Sequence, residues 1–228
     1  MYRERASRVV GGAVVWESVS DGVAPVRVLP DGCVDLLWSS RRGLLVAGPD
    51  RTAHLSVSGP GERWVGLRLP PGAAPAVLGV PADELRDRRA PLADLWGPSA
   101  AAPAERAAAG RPAAVLESLA RDRLRAAGGA DPLGARLTAR LATGVPVAAA
   151  AAEVGLGARA LHRRCRHLFG YGPKTLARIL RMRRALDLAR AGVPLAEAAA
   201  RAGYADQAHL TRDVRDLAGL PPATLLLG

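Results

Sequence analysis

The sequence predicts an α+β chain in which a small β-rich N-terminal domain is followed by an all-α domain. Three observations predict it. Residues 1–70 alternate short apolar segments with turn dipeptides, the chain after Gly128-Gly129 reads as helix throughout, and that helical part contains an internal repeat. A chain of 228 residues is long enough for two small domains. The division that follows is 1–96 for the β-rich domain, 97–130 for a linker and interdomain helix, and 131–228 for the helical domain.

In the first part, 8–10, 13–16, 26–29, 34–38, 44–47 and 64–69 are the apolar or alternating segments. Gly11-Gly12, Asp21-Gly22, Pro30-Asp31-Gly32, Gly48-Pro49-Asp50 and Gly59-Pro60-Gly61 separate them with turn chemistry. Short strands punctuated in this way suggest a small antiparallel sandwich or barrel. After Pro70 the segments 73–78, 82–86 and 92–96 read as short helical pieces, and the Ala/Pro-rich stretch 97–112 reads as a linker. Residues 113–126 place Val115, Leu116, Leu119 and Leu124 at helical spacing. That helix either joins domains or dimers, or packs on its own domain.

Charge separates the two halves. From Gly128 onward there are 15 Lys and Arg against 7 Asp and Glu, whereas the residues before it carry 17 and 14. The basic excess therefore sits in the helical part, as expected of a surface that meets a polyanion. No run approaches the ~18 apolar residues of a membrane span, and the first residues lack the apolar core of a signal peptide. A cytoplasmic protein without membrane contact is expected. The two cysteines, Cys33 and Cys165, supply neither a disulfide framework nor a zinc site. No cofactor or metal is implied, and phosphate-loop, metalloprotease and nucleophile-elbow motifs are absent. Hence no enzymatic activity is expected.

Comparing the helical part with itself exposes the repeat. Gly144-Val145-Pro146-Val147-Ala148 recurs 48 residues later as Gly192-Val193-Pro194-Leu195-Ala196, and Ala151 and Gly155 recur as Ala199 and Gly203. After one inserted residue, Leu161, Arg163, Arg166, Leu168, Gly170, Pro173, Thr175 and Leu176 match Leu210, Arg212, Arg215, Leu217, Gly219, Pro222, Thr224 and Leu225. Alanine bias does not place glycines, prolines and arginines in register. Each unit has the parts of a helix-turn-helix: a short alanine-rich helix, a glycine able to take positive φ where it stops, and a second helix over 158–169 or 206–218. Asp206 is a good N-cap and its counterpart Gly157 a weaker one. Leu161, Cys165 and Leu168, like Leu210, Val214 and Leu217, form one buried stripe. The opposite faces hold Arg159, His162, Arg163 and Arg166 in the first unit, and Gln207, His209, Thr211, Arg212 and Arg215 in the second. Arg and Gln near the start of such a helix suit guanine and adenine edges, and later Arg residues suit phosphates.

Segments 155–173 and 203–222, joined by a long helix over 173–190, resemble the tandem helix-turn-helix domain of AraC/XylS-type transcription regulators. Gly203-Tyr204 followed by Gln207, Leu210, Arg212, Gly219 and Pro222 resembles the family's signature segment. The resemblance covers about 131–228. This chain has Cys165 and Val214 where the family usually has Phe, and Gly157 where it has Ser or Thr. The resemblance implies double-stranded promoter DNA as partner, with RNA polymerase, an effector and a homodimer partner as further ones. Activation is the commoner behaviour in the family.

Leu29-Pro30-Asp31-Gly32-Cys33-Val34-Asp35-Leu36-Leu37-Trp38 and Ala47-Gly48-Pro49-Asp50 resemble a short β-rich sensor domain found ahead of some actinobacterial AraC-type domains. Trp16, Asp31, Cys33, Asp35, Trp38, His54 and Trp64 are the candidate effector residues. Each has a plainer role as core, turn or hydrogen-bonding residue. A competing function is a small-molecule-binding protein whose helical domain contacts another protein. A DNA-repair methyltransferase fused to such a domain would need a cysteine-rich metal site that the sequence lacks.

Overall fold

The computed structural model describes residues 2–22 and 24–227; Met1, Val23 and Gly228 lie outside the described residues. Six strands form one antiparallel sheet in the order β1 (Tyr2–Ala6), β2 (Val14–Val19), β7 (Arg63–Leu69), β4 (Val34–Ser39), β5 (Gly43–Ala47) and β8 (Arg89–Pro91). The strands β3 (Val26–Val28) and β6 (His54–Ser56) pair separately as a two-stranded ribbon. Three strands differ from the sequence reading. Residues 8–10 are a bend held by the Ser7 hydroxyl, which accepts from the amides of Val9 and Val10, and the strand lies before it at β1. The short β6 and β8 carry no alternating apolar signal.

Alternation assigns the sheet two jobs. Val15, Val34, Leu36, Val46, Val65, Leu67 and Leu69 point to one face and are buried there. They pack on α1 (Ala74–Leu78), α2 (Leu92–Trp96), α3 (Ala101–Ala108) and α4 (Pro112–Ala126). The stretch 97–112, expected as a linker, is helical. Its small Ala100 and Ala107 are fully packed in this first core, together with Val115, Leu116 and Ala120 of α4. Alanine richness here is close packing, which a composition argument reads as low complexity. Glu117 of α4 also ties down the N-terminal strand, accepting from Arg5 at 2.8 Å and from the Ser7 hydroxyl at 2.7 Å.

The second core belongs to α5 (Pro132–Ala142), α6 (Val147–Glu153), α7 (Ala158–Phe169), α8 (Pro173–Arg190), α9 (Leu195–Ala202), α10 (Gln207–Ala218) and α11 (Pro222–Leu226). The Asp131 side chain caps α5 and the Asp206 side chain caps α10, whereas Gly157 gives α7 no side-chain cap. Gly155 and Gly203 both take positive φ where the first helix of each unit stops. Leu161, Cys165 and Leu168 are buried on α7, and Leu210, Val214 and Leu217 on α10. Leu176, Ile179, Met182 and Leu186 of α8 run through the same core and join the two units.

The two cores meet along a polar seam. Arg86 donates to the Gly170 carbonyl at the end of α7 at 3.0 Å. Arg27 donates to the Ala218 carbonyl at the end of α10 at 2.9 Å, and the Ala53 amide donates to the Leu217 carbonyl at 2.7 Å. Gly170 must be glycine twice over. It sits at φ +83, and a Cβ there would lie 2.6 Å from Pro49.

Candidate nucleic-acid interface and ligand cavity

Helices α7 and α10 present their predicted faces outward. Arg159, His162, Arg163, Arg166, Gln207, Arg212 and Arg215 are exposed, and His209 and Thr211 are half-buried. Most arginines of the helical domain are occupied: Arg140 by Glu153, Arg164 by Asp131, Arg178 and Arg181 by Asp213, Arg184 by the Thr143 carbonyl. Among the described residues, Arg159, Arg163, Arg212 and Arg215 have no hydrogen-bond or ion-pair partner. Of the five unpartnered guanidinium groups among the described residues of the helical domain, four thus lie on these two helices and the fifth, Arg183, on α8.

Three predicted residues are committed elsewhere. Arg166 forms an ion pair with Asp83 of the N-terminal domain at 2.7 Å. The ring of His209 packs edge-on against Tyr204, with centroids 5.1 Å apart. The Thr211 hydroxyl donates to the Gln207 carbonyl at 2.9 Å, one turn back on its own helix.

Sequence reasoning missed Asp213. It lies on the inner side of α10, almost fully buried, and accepts from Arg178 at 2.7 Å, Arg181 at 3.3 Å and the Tyr204 hydroxyl at 2.9 Å. The Arg181 guanidinium also covers the Tyr204 ring at 4.2 Å. Burial and the Asp213 carboxylate push the Tyr204 hydroxyl well above its usual range. This cluster fastens α10 to α8. An acid on a basic helix reads as solvated charge, and only its coincidence with the inner face of the helix signals otherwise.

The outer face of the sheet floors a cavity of about 970 Å³, closed by the β3–β6 ribbon and by Arg183 and Arg190 of α8. Trp16, Asp31, Cys33, Asp35, His54 and Trp64 all line it. Trp38 does not: it is 7% exposed on the core face, with the Arg63 guanidinium over its ring. Its place in the alternation of β4, one residue after the cavity-lining Leu37, puts it on the opposite side. Burial together with Asp31 and Asp35 pushes the Cys33 thiol well above its ordinary value, so it stays protonated. His54 is shifted down by desolvation and Arg89. Burial raises the Asp35 carboxyl, against the opposing pull of Arg68. Among the described residues no group of three His, Cys, Asp or Glu is placed to hold a metal ion, and no helix is long and apolar enough to cross a membrane.

Comparison with known proteins places both halves. Residues 136–227 match a family of helix-turn-helix domains, of AraC type. Residues 136–227 thus carry a helix-turn-helix domain of that type. Residues 13–91 match a family described as a domain of unknown function. An apo ToxT variant from Vibrio cholerae aligns over 93% of the chain and 97% of its own length, at TM-score 0.51 and 10% identity. That likeness is one of fold. A probable AraC family transcriptional regulator from Rhodopseudomonas palustris aligns over 42% of the chain and 96% of its own length, with 21% identity and a TM-score of 0.37. No curated protein matches the chain.

Proposed function

We propose that this AraC-type chain is an effector-responsive activator that reads two successive major grooves of promoter DNA with α7 and α10. The observation that carries the reading is the pattern of occupancy: the arginines of the helical domain are paired nearly everywhere except on the outer faces of these two helices. The one other unpartnered arginine among the described residues of the helical domain, Arg183, lines the cavity. Arg159, His162 and Arg163 of α7, with Gln207 and Thr211 of α10, face the bases; Arg212 and Arg215 hold phosphates, and Arg166 joins them only when released from Asp83. The recognition helices would then sit about one helical turn apart, ~10 base pairs, on a non-palindromic site. A dimer would bind two copies of that site and present the chain to RNA polymerase, in the cytoplasm. The role is regulation rather than catalysis.

Effector response is supported by the shared wall. The sensor-side residues and the helix that joins the two recognition units line one cavity, so an occupant touching both changes the energy of their arrangement. Residues 131–228 are proposed as a separately folding unit, supported by their own continuous core, with the N-terminal unit reaching through α4. Limited proteolysis should release a stable C-terminal fragment. A gel shift against the chain's own promoter, followed by footprinting of wild type and Arg159→Ala, tests the central reading. Loss of one or two base preferences in the variant is expected. No promoter binding at all would favour a helical domain that contacts protein instead.

A further inference from the structure

We propose that the sheet-floored cavity takes a flat aromatic heterocycle that carries an N–H donor beside an acceptor along one edge. The proposal rests on the effector-responsive reading and names the chemistry of the same cavity. Strand register lays out the floor. Trp16, Gly66 and Leu37 lie abreast on β2, β7 and β4, and Leu45 continues the row on β5. Gly66 leaves a gap that the indole fills: a Cβ there would sit 2.2 Å from Cε2 of Trp16. The ring therefore lies flat across β7. Its N–H donates to Oδ1 of Asp35 at 2.7 Å, two strands away, which fixes its tilt. Tyr2 stacks beside it, with centroids 6.2 Å apart. Trp64 lines the cavity as a third ring, held by a hydrogen bond from its indole N–H to the Ser58 hydroxyl at 2.9 Å. Three aromatic rings on one cavity favour stacking with a planar occupant.

The neighbouring row is polar. Arg68 and Asp35 are cross-strand partners, and Asp31 approaches from the loop before β4. The Nε of Arg68 lies 3.5 Å from Asp31 and 3.7 Å from Asp35, yet it is buried and makes no hydrogen bond. The two carboxylates hold that inner nitrogen as ion-pair partners, and the rest of the guanidinium faces the cavity. A ring nitrogen or carbonyl of the occupant would accept from the outer nitrogens of Arg68, and an adjacent N–H would be accepted by Asp31 or Asp35. A carboxylate head in that place would satisfy Arg68 but lie against two aspartates. A saturated chain would not stack on the aromatic floor that Trp16 and Tyr2 form. The floor, apolar along one row and both donating and accepting along the next, selects the mixed edge on a flat ring.

The probe is quinazolinone, a bicycle with an N–H beside a carbonyl, titrated calorimetrically into the full chain. Its N-methylated analogue lacks the donor, and decanoate tests the flexible anion. Saturable binding of quinazolinone is expected, with the N-methyl analogue and the Asp35→Asn variant each weaker by about tenfold or more, the loss of one charge-assisted hydrogen bond. Promoter gel shifts of Asp35→Asn and of Arg68→Lys report that each variant is folded. Equal binding of quinazolinone and its methylated analogue, or no binding of either, overturns the ligand class. Decanoate binding with a change in promoter affinity would overturn the heterocycle and leave effector response standing. Quinazolinone binding with unchanged promoter affinity would keep the site and overturn the regulatory reading.

Discussion

Arg166 and Arg215 occupy the same place in the two helix-turn-helix units, but Arg166 is bound by Asp83 at 2.7 Å while Arg215 has no partner among the described residues. Two residues earlier on each helix the units differ again. Position 164 is an arginine that pairs with Asp131, and its repeat counterpart, Asp213, receives Arg178, Arg181 and Tyr204. The sign of the charge has reversed, and each side chain still fastens its recognition helix to a neighbouring element. The repeat thus preserves geometry and exposed basic character, while the chemistry that anchors each copy is free to differ. The first copy is tied to the N-terminal domain through a side chain as well as through the backbone, and the second through the backbone carbonyls of Leu217 and Ala218.

The largest effect expected from this asymmetry is on stability. Asp213→Ala strips one acid from two arginines and a tyrosine in a nearly buried cluster, and should cost about 3 kcal/mol in urea unfolding. Arg164→Ala removes a half-exposed pair and should cost about 1 kcal/mol or less. Equal losses would mean that the two anchors are energetically alike. Next in size are the base contacts. Arg159→Ala should cost about 1–3 kcal/mol at the cognate site and relax one or two positions in the first half of the footprint. Its repeat counterpart is Ala208, so the second half must be read by other residues, and Gln207→Ala should relax that half alone. A uniform loss over all sequences would remove α7 from base readout.

Salt dependence separates the paired arginine from the free one. Arg215→Ala should lower the slope of log affinity against log salt by about one unit on any sequence. Arg166→Ala should barely change the slope while Asp83 holds that guanidinium. In an Asp83→Ala background the same substitution should match Arg215→Ala, and identical behaviour of Arg166 in both backgrounds would show that the ion pair opens on DNA. The smallest change expected is Cys165→Val, which makes the first helix-turn-helix unit resemble the second at this position. Cys165 is fully buried, and desolvation pushes its thiol up to about 12. A swap of similar volume should stay within about 1.5 kcal/mol and leave the footprint unchanged.

Much of this was legible in the sequence because it is local. The glycines at 155, 170, 203 and 219 and the apolar stripes of α7 and α10 follow from helix period and stop signals, and they lie where the repeat places them. The central strands follow from alternation. The losses share a cause, which is that their signal lies in another part of the chain. Strand β1 reads Tyr-Arg-Glu-Arg-Ala and is polar because it is an exposed edge. The stretch 97–112 is helical because its alanines fit against a core that composition does not display. Trp38 was grouped with Trp16 and Trp64, although one-residue displacement in β4 sends it to the other face. Six of the seven candidate effector residues converge on one cavity, but the floor that brings them there depends on register between strands far apart in sequence.

The N-terminal domain grips both recognition helices mainly by their terminal carbonyls: Gly170 on one, Leu217 and Ala218 on the other. A carbonyl is the same whatever side chain stands beside it. The residues on the outer faces of α7 and α10 can therefore be exchanged without disturbing most of the contacts that hold the two domains together. Arg166 is the exception, since its own guanidinium is part of the grip. If the proposed reading holds, evolution or an engineer can change the sequence such a chain reads and keep the domain contact, provided position 166 is left alone.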